Sequence, residues 1–286
     1  RDPHHRVLAR HVRAEPFVEL TVKTEVRPAA VTQQIPTSHF PPEISRVTKL
    51  MEKHNKVLLT GRSGSGKTTT LRHLAWEFAL GTVTIAGREV LPVYVPLKWF
   101  GTWPKSKDPP RLSQYVAFWV KETMREHLKT SDLQQRSLFS GQKTREQTQH
   151  SREDLLNAIE KEVGDFFDDE NSDLSDMVFL LDALNEIPEE TTQIARKQIG
   201  DFVRTVSNIV ASTRSYGAEK MLPQLTRFEL APLSDQEIIN YLSICFDGQG
   251  EGLFRRTVAT DSRVLSMARV PFYLELMVQY VRRYPD

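Results

Sequence analysis

KVLLTGRSGSGKTT, residues 56–69, runs from a short apolar stretch into a glycine-rich loop and out again into a helical pattern. Val57, Leu58 and Leu59 form the apolar stretch, and Gly61, Arg62, Ser63, Gly64, Ser65 and Gly66 form the loop. Lys67, Thr68 and Thr69 open the helix, whose apolar face carries Leu71, Leu74, Ala75 and Phe78. Strand, loop and helix in that order are the setting in which G-x-x-x-x-G-K-[ST] holds the phosphates of a nucleotide. Glycines let consecutive backbone N–H groups turn inward onto phosphate oxygens, and the helix N-terminus adds partial positive charge. Lys67 then reaches the β and γ phosphates, and the Thr68 hydroxyl becomes a ligand of Mg2+.

A second stretch, MVFLLDALNE at 177–186, drives five apolar residues into Asp182. Such a run is a buried parallel strand with a carboxylate at its C-terminal end, where open α/β sheets place their ligands. Beside a phosphate loop, Asp182 is the expected partner of Thr68 at Mg2+. Glu186 lies four residues on, in position to polarise an attacking water, or else to open the next helix from the surface. Residues 208–212, NIVAS, form another buried strand that delivers Thr213 and Arg214 to the same crevice. Arg214 there either stabilises γ-phosphate charge or makes a structural salt bridge.

The remaining elements follow from periodicity and punctuation. Residues 1–41 are irregular, with one strand over 17–22 and a proline-rich linker; His4 and His5 have no partner in sequence that would make them a metal site. Ile44, Val47, Leu50 and Met51 predict a short helix, and 90–95 a strand. Helices are expected over 113–128, with Tyr115, Val116, Trp119, Val120 and Met124 inward, and over 190–206. Ser151-x-x-Asp154 predicts the start of another, with Leu155, Leu156, Ile159, Val163 and Phe166 inward. Between these, about 129–150 is polar enough to be an insertion. After a last strand at 228–230, Ser234-x-x-Glu237 caps the first of a series of helices, and Pro271 opens the final one. The division expected is a linker over 1–41, an α/β core over 42–230 and a helical lid over 231–286.

Charge and cysteine content narrow the function classes. Thirty-eight basic against 37 acidic residues leave a net charge of +1, which does not describe a surface built for nucleic acid or anionic lipid. The single cysteine, Cys245, excludes an internal disulfide or a cysteine zinc cluster and fits a reducing compartment. No apolar run approaches the roughly 18–20 residues of a membrane span, and no signal peptide opens the chain, so a cytoplasmic protein is expected. The first residue is Arg1 and the last helix ends beside Asp286, as in a piece of a longer protein.

Taken in order, GRSGSGKTTTL, LPVYVPL, FLLDALNEIP, NIVASTRS, FELAPLSDQEIINYL and ARVPFYLELM resemble the NACHT domains of the STAND class of signalling ATPases, over about residues 15–286. The resemblance implies a P-loop core of the ASCE/AAA-like type, with parallel strands in the order 5-1-4-3-2 and a helical lid. It implies ATP/ADP and Mg2+ as ligands, and Pro271 packed against the nucleotide base. It implies a switch between an ADP-bound closed monomer and an ATP-bound self-oligomer, set between effector and sensor domains of one longer chain. The winged-helix part that completes the closed state of such proteins has no counterpart here. The family pattern carries two acids after the Mg2+ aspartate, and this chain has Asn185 before Glu186. Two other functions compete with the switch: an AAA+-like ATPase working on nucleic acid, and a nucleotide-binding scaffold without turnover.

Overall fold

A computed structural model describes residues 21–24, 44–100, 111–136, 145–169, 173–187, 192–215 and 222–284. Contacts divide the chain into two compact units. The first joins residues 1–96, 175–186 and 206–286; the second joins 97–174 and 187–205.

The first unit is built on a seven-stranded sheet. Its strands are β1 (Thr21–Thr24), β2 (Ile44–Arg46), β3 (Lys56–Thr60), β4 (Leu91–Pro96), β5 (Met177–Asp182), β6 (Asn208–Thr213) and β7 (Thr226–Leu230). They lie in the order β2-β1-β7-β3-β6-β5-β4, and β7, β3, β6, β5 and β4 run parallel. Counted from the phosphate-loop strand, that is the expected 5-1-4-3-2. β1 and β2 extend it antiparallel beyond β7. The three central strands, KVLLT, MVFLLD and NIVAST, are almost wholly buried, which is why they read as unbroken apolar runs.

Helix α1 (Val47–Lys53) starts only after β2, so Ile44 belongs to a strand and not to the short helix its spacing predicts. Pairing with β1 decides this; Ile44 sits opposite Lys23. Helix α2 (Lys67–Leu80) begins behind Gly66 at φ +88° and ends at Gly81 at φ +70°, with Leu71, Leu74 and Phe78 buried as expected.

The lid lies within this same unit. It comprises α6 (Asp235–Cys245), α7 (Gly250–Leu253), a π turn (Phe254–Val258), α8 (Ser262–Ala268) and α9 (Pro271–Arg283). Ser234 and Glu237 form the reciprocal cap foreseen at its start: the Ser234 hydroxyl accepts from the Glu237 N–H, and the Glu237 carboxylate accepts from the Ser234 N–H. Ile238, Leu242, Phe254, Val258, Leu274 and Val278 share one core with Phe228, Leu230 and Leu71. The lid is thus joined to the sheet by continuous apolar packing.

The second unit is helical: α3 (Leu112–Arg136), α4 (Arg145–Asp168) and α5 (Thr192–Thr205). Tyr115 and Val116 are buried, with Phe100 against Tyr115 at 5.1 Å between ring centroids. Of the other expected core residues, Met124, Leu155 and Phe166 are exposed. α4 opens six residues before Ser151, so Ser151-x-x-Asp154 is helix interior and not a cap. Both helices run into the polar stretch at 129–150, leaving only 137–144 outside the described residues. His4, His5, most of the strand expected over 17–22 and the 101–110 loop also lie outside them.

Candidate functional site

The parallel register sets the tips of four strands side by side. Thr60 of β3 pairs with Thr213 of β6, Leu181 of β5 with Ala211 of β6, and Asp182 of β5 with Pro96 of β4. Above these tips lies a cavity of about 480 Å³. Loop residues 63–69 line one side, with Asp182, Asn185, Glu186, Ser212 and Arg214 from the strand tips. Leu233, Tyr241, Pro271, Phe272, Leu274, Glu275 and Gln279 of the lid line the other. The structure therefore gathers Ser63, Gly64, Ser65, Gly66, Lys67, Thr68, Thr69, Asp182, Glu186, Arg214 and Pro271 around one space. Gly61 and Arg62 stay out of its lining and offer their carbonyl oxygens to the loop lysine instead, each accepting from Lys67 Nζ at 2.8 Å.

The electrostatics suit an anion. Burial lowers the Lys67 pKa from its ordinary value, and the nearby Arg214 guanidinium lowers it further, against the opposing pull of Asp182 and Glu186. Two cations facing one space weaken each other until a polyanion enters between them. Gly64 sits at φ +75°, and a Cβ there would stand 2.9 Å from the Phe272 Cβ, so the loop admits only glycine at this point.

Asp182 is held from two strands. It is 4% exposed; the Ser212 hydroxyl donates to Oδ1 at 2.6 Å and the Tyr94 hydroxyl donates to Oδ2 at 2.9 Å. Ser212 Oγ also accepts the Ala183 N–H at 2.8 Å. Ala183 has φ +65°, and this bend carries the chain into a short turn over Leu184–Glu186, closed by the Glu186 N–H on the Ala183 carbonyl at 2.8 Å. Asn185, standing where an acid is expected, accepts the Arg214 backbone N–H on Oδ1 at 3.1 Å and so ties the β5 turn to the β6 tip. The Tyr94 phenol is pushed well above its usual pKa, first by burial and then by Asp182.

Thr68 and Asp182 offer a hydroxyl and a carboxylate, hard oxygen donors of the kind Mg2+ takes alongside phosphate oxygens. Among the described residues no group of three or more His, Cys, Asp and Glu could hold a metal ion. The Thr68 and Asp182 donor set fits Mg2+ shared with phosphate oxygens.

On the lid side, the Tyr241 hydroxyl donates to the Glu275 carboxylate, and Gln279 Nε2 donates to Glu275 Oε1 at 2.8 Å. Burial, and then the Glu275 carboxylate, raise the Tyr241 pKa far above normal. The Phe272 N–H donates to the Gly64 carbonyl at 3.2 Å, joining the first turn of α9 to the phosphate loop. Tyr94, Ser212, Tyr241, Glu275 and Gln279 are the residues that sequence reasoning did not single out. Tyr94 alone carried a hint, a hydroxyl inside the otherwise aliphatic VLPVYV.

A family described as Novel STAND NTPase 3 matches residues 41–201, more than half of the chain. No curated protein matches it. Among solved structures, the Orc1 protein of Aeropyrum pernix in complex with DNA is similar at 17% identity and a TM-score of 0.41, over 82% of this chain and 56% of that one. PCH-2 of C. elegans is similar at 17% identity and a TM-score of 0.34, over 74% of this chain and 46% of that one. The chain thus spans about half the length of each.

Proposed function

This chain belongs to the Novel STAND NTPase 3 family, and from that premise we propose that it is an ATP/ADP switch with slow, Mg2+-dependent hydrolysis. The observation that carries the reading is the two-sided cavity, with the phosphate loop and strand tips on one side and lid helix α9 on the other. A ligand that touches both can favour one lid orientation over another by its differential affinity, which is what a switch requires.

The roles follow from chemistry and position. Lys67 would neutralise the β and γ phosphates, and Thr68 and Asp182 would hold Mg2+, which would supply charge to the phosphate oxygens. Glu186, exposed on the cavity wall, takes a proton from the attacking water. Arg214 meets the γ-phosphate charge, and Pro271 closes over the base. In the ATP state the chain self-associates between effector and sensor domains of a longer cytoplasmic signalling protein, of the kind used in immunity or defence. Among the described residues no helix is long and apolar enough to cross a membrane. Asn185 favours one second reading, a nucleotide-binding scaffold without turnover, because its amide is occupied in holding Arg214 and offers no carboxylate.

The experiment is to denature the purified protein and identify any released nucleotide by ion-exchange chromatography, then to follow added ATP. Co-purified ADP with slow turnover and ATP-dependent self-association supports the switch. Bound ATP that is never cleaved supports the scaffold. An empty site with fast turnover stimulated by DNA or RNA overturns both in favour of an ATPase working on nucleic acid.

A further inference from the structure

Tyr94 is the one polar-tipped side chain of β4 that reaches into the core shared with α2. It packs against the cluster that holds Leu71, Leu74, Val178 and Leu180, and Arg72 of α2 lies over its ring, 5.8 Å from guanidinium carbon to centroid. An aliphatic residue would serve that packing. The hydroxyl does something more, because a buried phenol O–H needs a partner and this one finds Asp182 Oδ2 at 2.9 Å. Tyr94 sits two residues before Pro96, the register partner of Asp182, so the phenol runs along the strand to meet the carboxylate at its tip.

The opposite oxygen of Asp182 is taken by the Ser212 hydroxyl at 2.6 Å, and Ser212 is itself fixed by the Ala183 N–H. A carboxylate gripped at one oxygen still swings about its last torsion; gripped at both, from β4 and from β6, it does not. Each ionised oxygen has two lone-pair positions, so one hydroxyl on each leaves acceptor capacity for a ligand on the cavity side, which Asp182 lines. Outer partners that fix the orientation of a metal-binding carboxylate govern metal affinity without touching the metal.

We propose that Tyr94 is a positioning residue that orients Asp182 toward the divalent cation carried in with the nucleotide phosphates. The proposal rests on the nucleotide-and-Mg2+ reading above, and its test separates the two. A fluorescent ATP analogue is titrated onto the wild-type chain and onto Tyr94→Phe, once in EDTA and once across a range of Mg2+. Phenylalanine keeps the ring, its packing and the Arg72 guanidinium over its face, and loses the hydroxyl's bonds to Asp182 and to Arg72; thermal melting verifies the fold. The expected result is a Mg2+ half-saturation raised about tenfold in the variant, with EDTA affinity unchanged. In an Asp182→Asn background the same Tyr94→Phe change should add nothing, because the residue acts through the carboxylate. An unchanged Mg2+ half-saturation overturns the proposal, as does an equal loss in EDTA or an undiminished effect when Asp182→Asn is already present. If the wild-type chain binds the analogue with no response to Mg2+ at all, it is the underlying reading of Thr68 and Asp182 that fails.

Discussion

The two walls of the cavity are held in different ways. On the strand-tip wall three polar groups are tied to a neighbouring strand or to the loop itself: Asp182 to Tyr94 and Ser212, Asn185 to the Arg214 backbone, Lys67 to the Gly61 and Arg62 carbonyls. Asp182, bonded to both β4 and β6, cannot shift without disturbing those strands. On the lid wall the polar side chains bond to one another, Tyr241 and Gln279 to Glu275. The lid meets the rest through the apolar core it shares with Leu71, Phe228 and Leu230 and, at the first turn of α9, through the Phe272 N–H on the Gly64 carbonyl. One wall is held by bonds across strands and the other by bonds within itself, a difference the proposed switch would use. That asymmetry suits a protein in which the nucleotide sets a conformation.

The sharpest way to break the comparison is at the fixed wall. Lys67→Ala removes the ammonium proposed to meet the phosphates, and nucleotide binding should weaken by about 100-fold or more in equilibrium titration, with the fold retained. Near-normal affinity would mean that the loop does not cradle phosphate. Glu186→Gln keeps size and removes the proposed base, so binding should persist while turnover falls by roughly 100-fold or more in a phosphate-release assay. A variant with wild-type turnover would place the base elsewhere.

The fixed wall was also the legible one, for the same reason. A phosphate loop is local, with its glycines, lysine and threonine within 56–69, and β5 announces itself by an unbroken apolar run into Asp182. Tyr94 and Ser212 reach Asp182 across 88 and 30 residues of chain, by a register that single-sequence periodicity does not contain. The two Ser-x-x-acid signals show how much context decides. Ser234 follows Ala231-Pro232-Leu233, where the proline supplies no N–H, and it caps; Ser151 follows REQTQH, good helix formers, and the helix runs through it. Ile44 went to a strand because an antiparallel partner was available, which no local pattern records.

The seam between the walls is open to a steric test. Gly64→Ala forces a side chain into φ +75° and to within 2.9 Å of the Phe272 Cβ. The cost in strain is about 1 kcal/mol, with more if α9 must shift, and it should appear as a lower melting temperature and weaker nucleotide binding. Adding Phe272→Gly removes the clashing atom and should restore part of the binding while leaving the strain. No recovery would mean that the lid does not bear on the loop at this point.

The smallest effect expected is also the one whose sign is least intuitive. In the folded protein the Lys67 pKa lies below its ordinary 10.5, through burial and through Arg214. Below that lowered pKa the native state carries a charge it disfavours, so rising pH relieves the fold, which gains stability until the unfolded lysine also loses its proton. Polyphosphate reverses the sign, since the anion favours the ammonium and raises its pKa, and binding then takes up a proton. Nucleotide affinity should therefore be flat near pH 7 and fall by about severalfold as pH rises through the lowered pKa, beginning before the ordinary lysine range. Phosphate groups are fully ionised there and do not mask the slope. Titrations in buffers of different ionisation enthalpy read the proton directly, and Lys67→Arg, which keeps its charge, should flatten the profile. A wild-type profile as flat as the arginine variant's would remove Lys67 from the contact with phosphate and leave Arg214 to carry it.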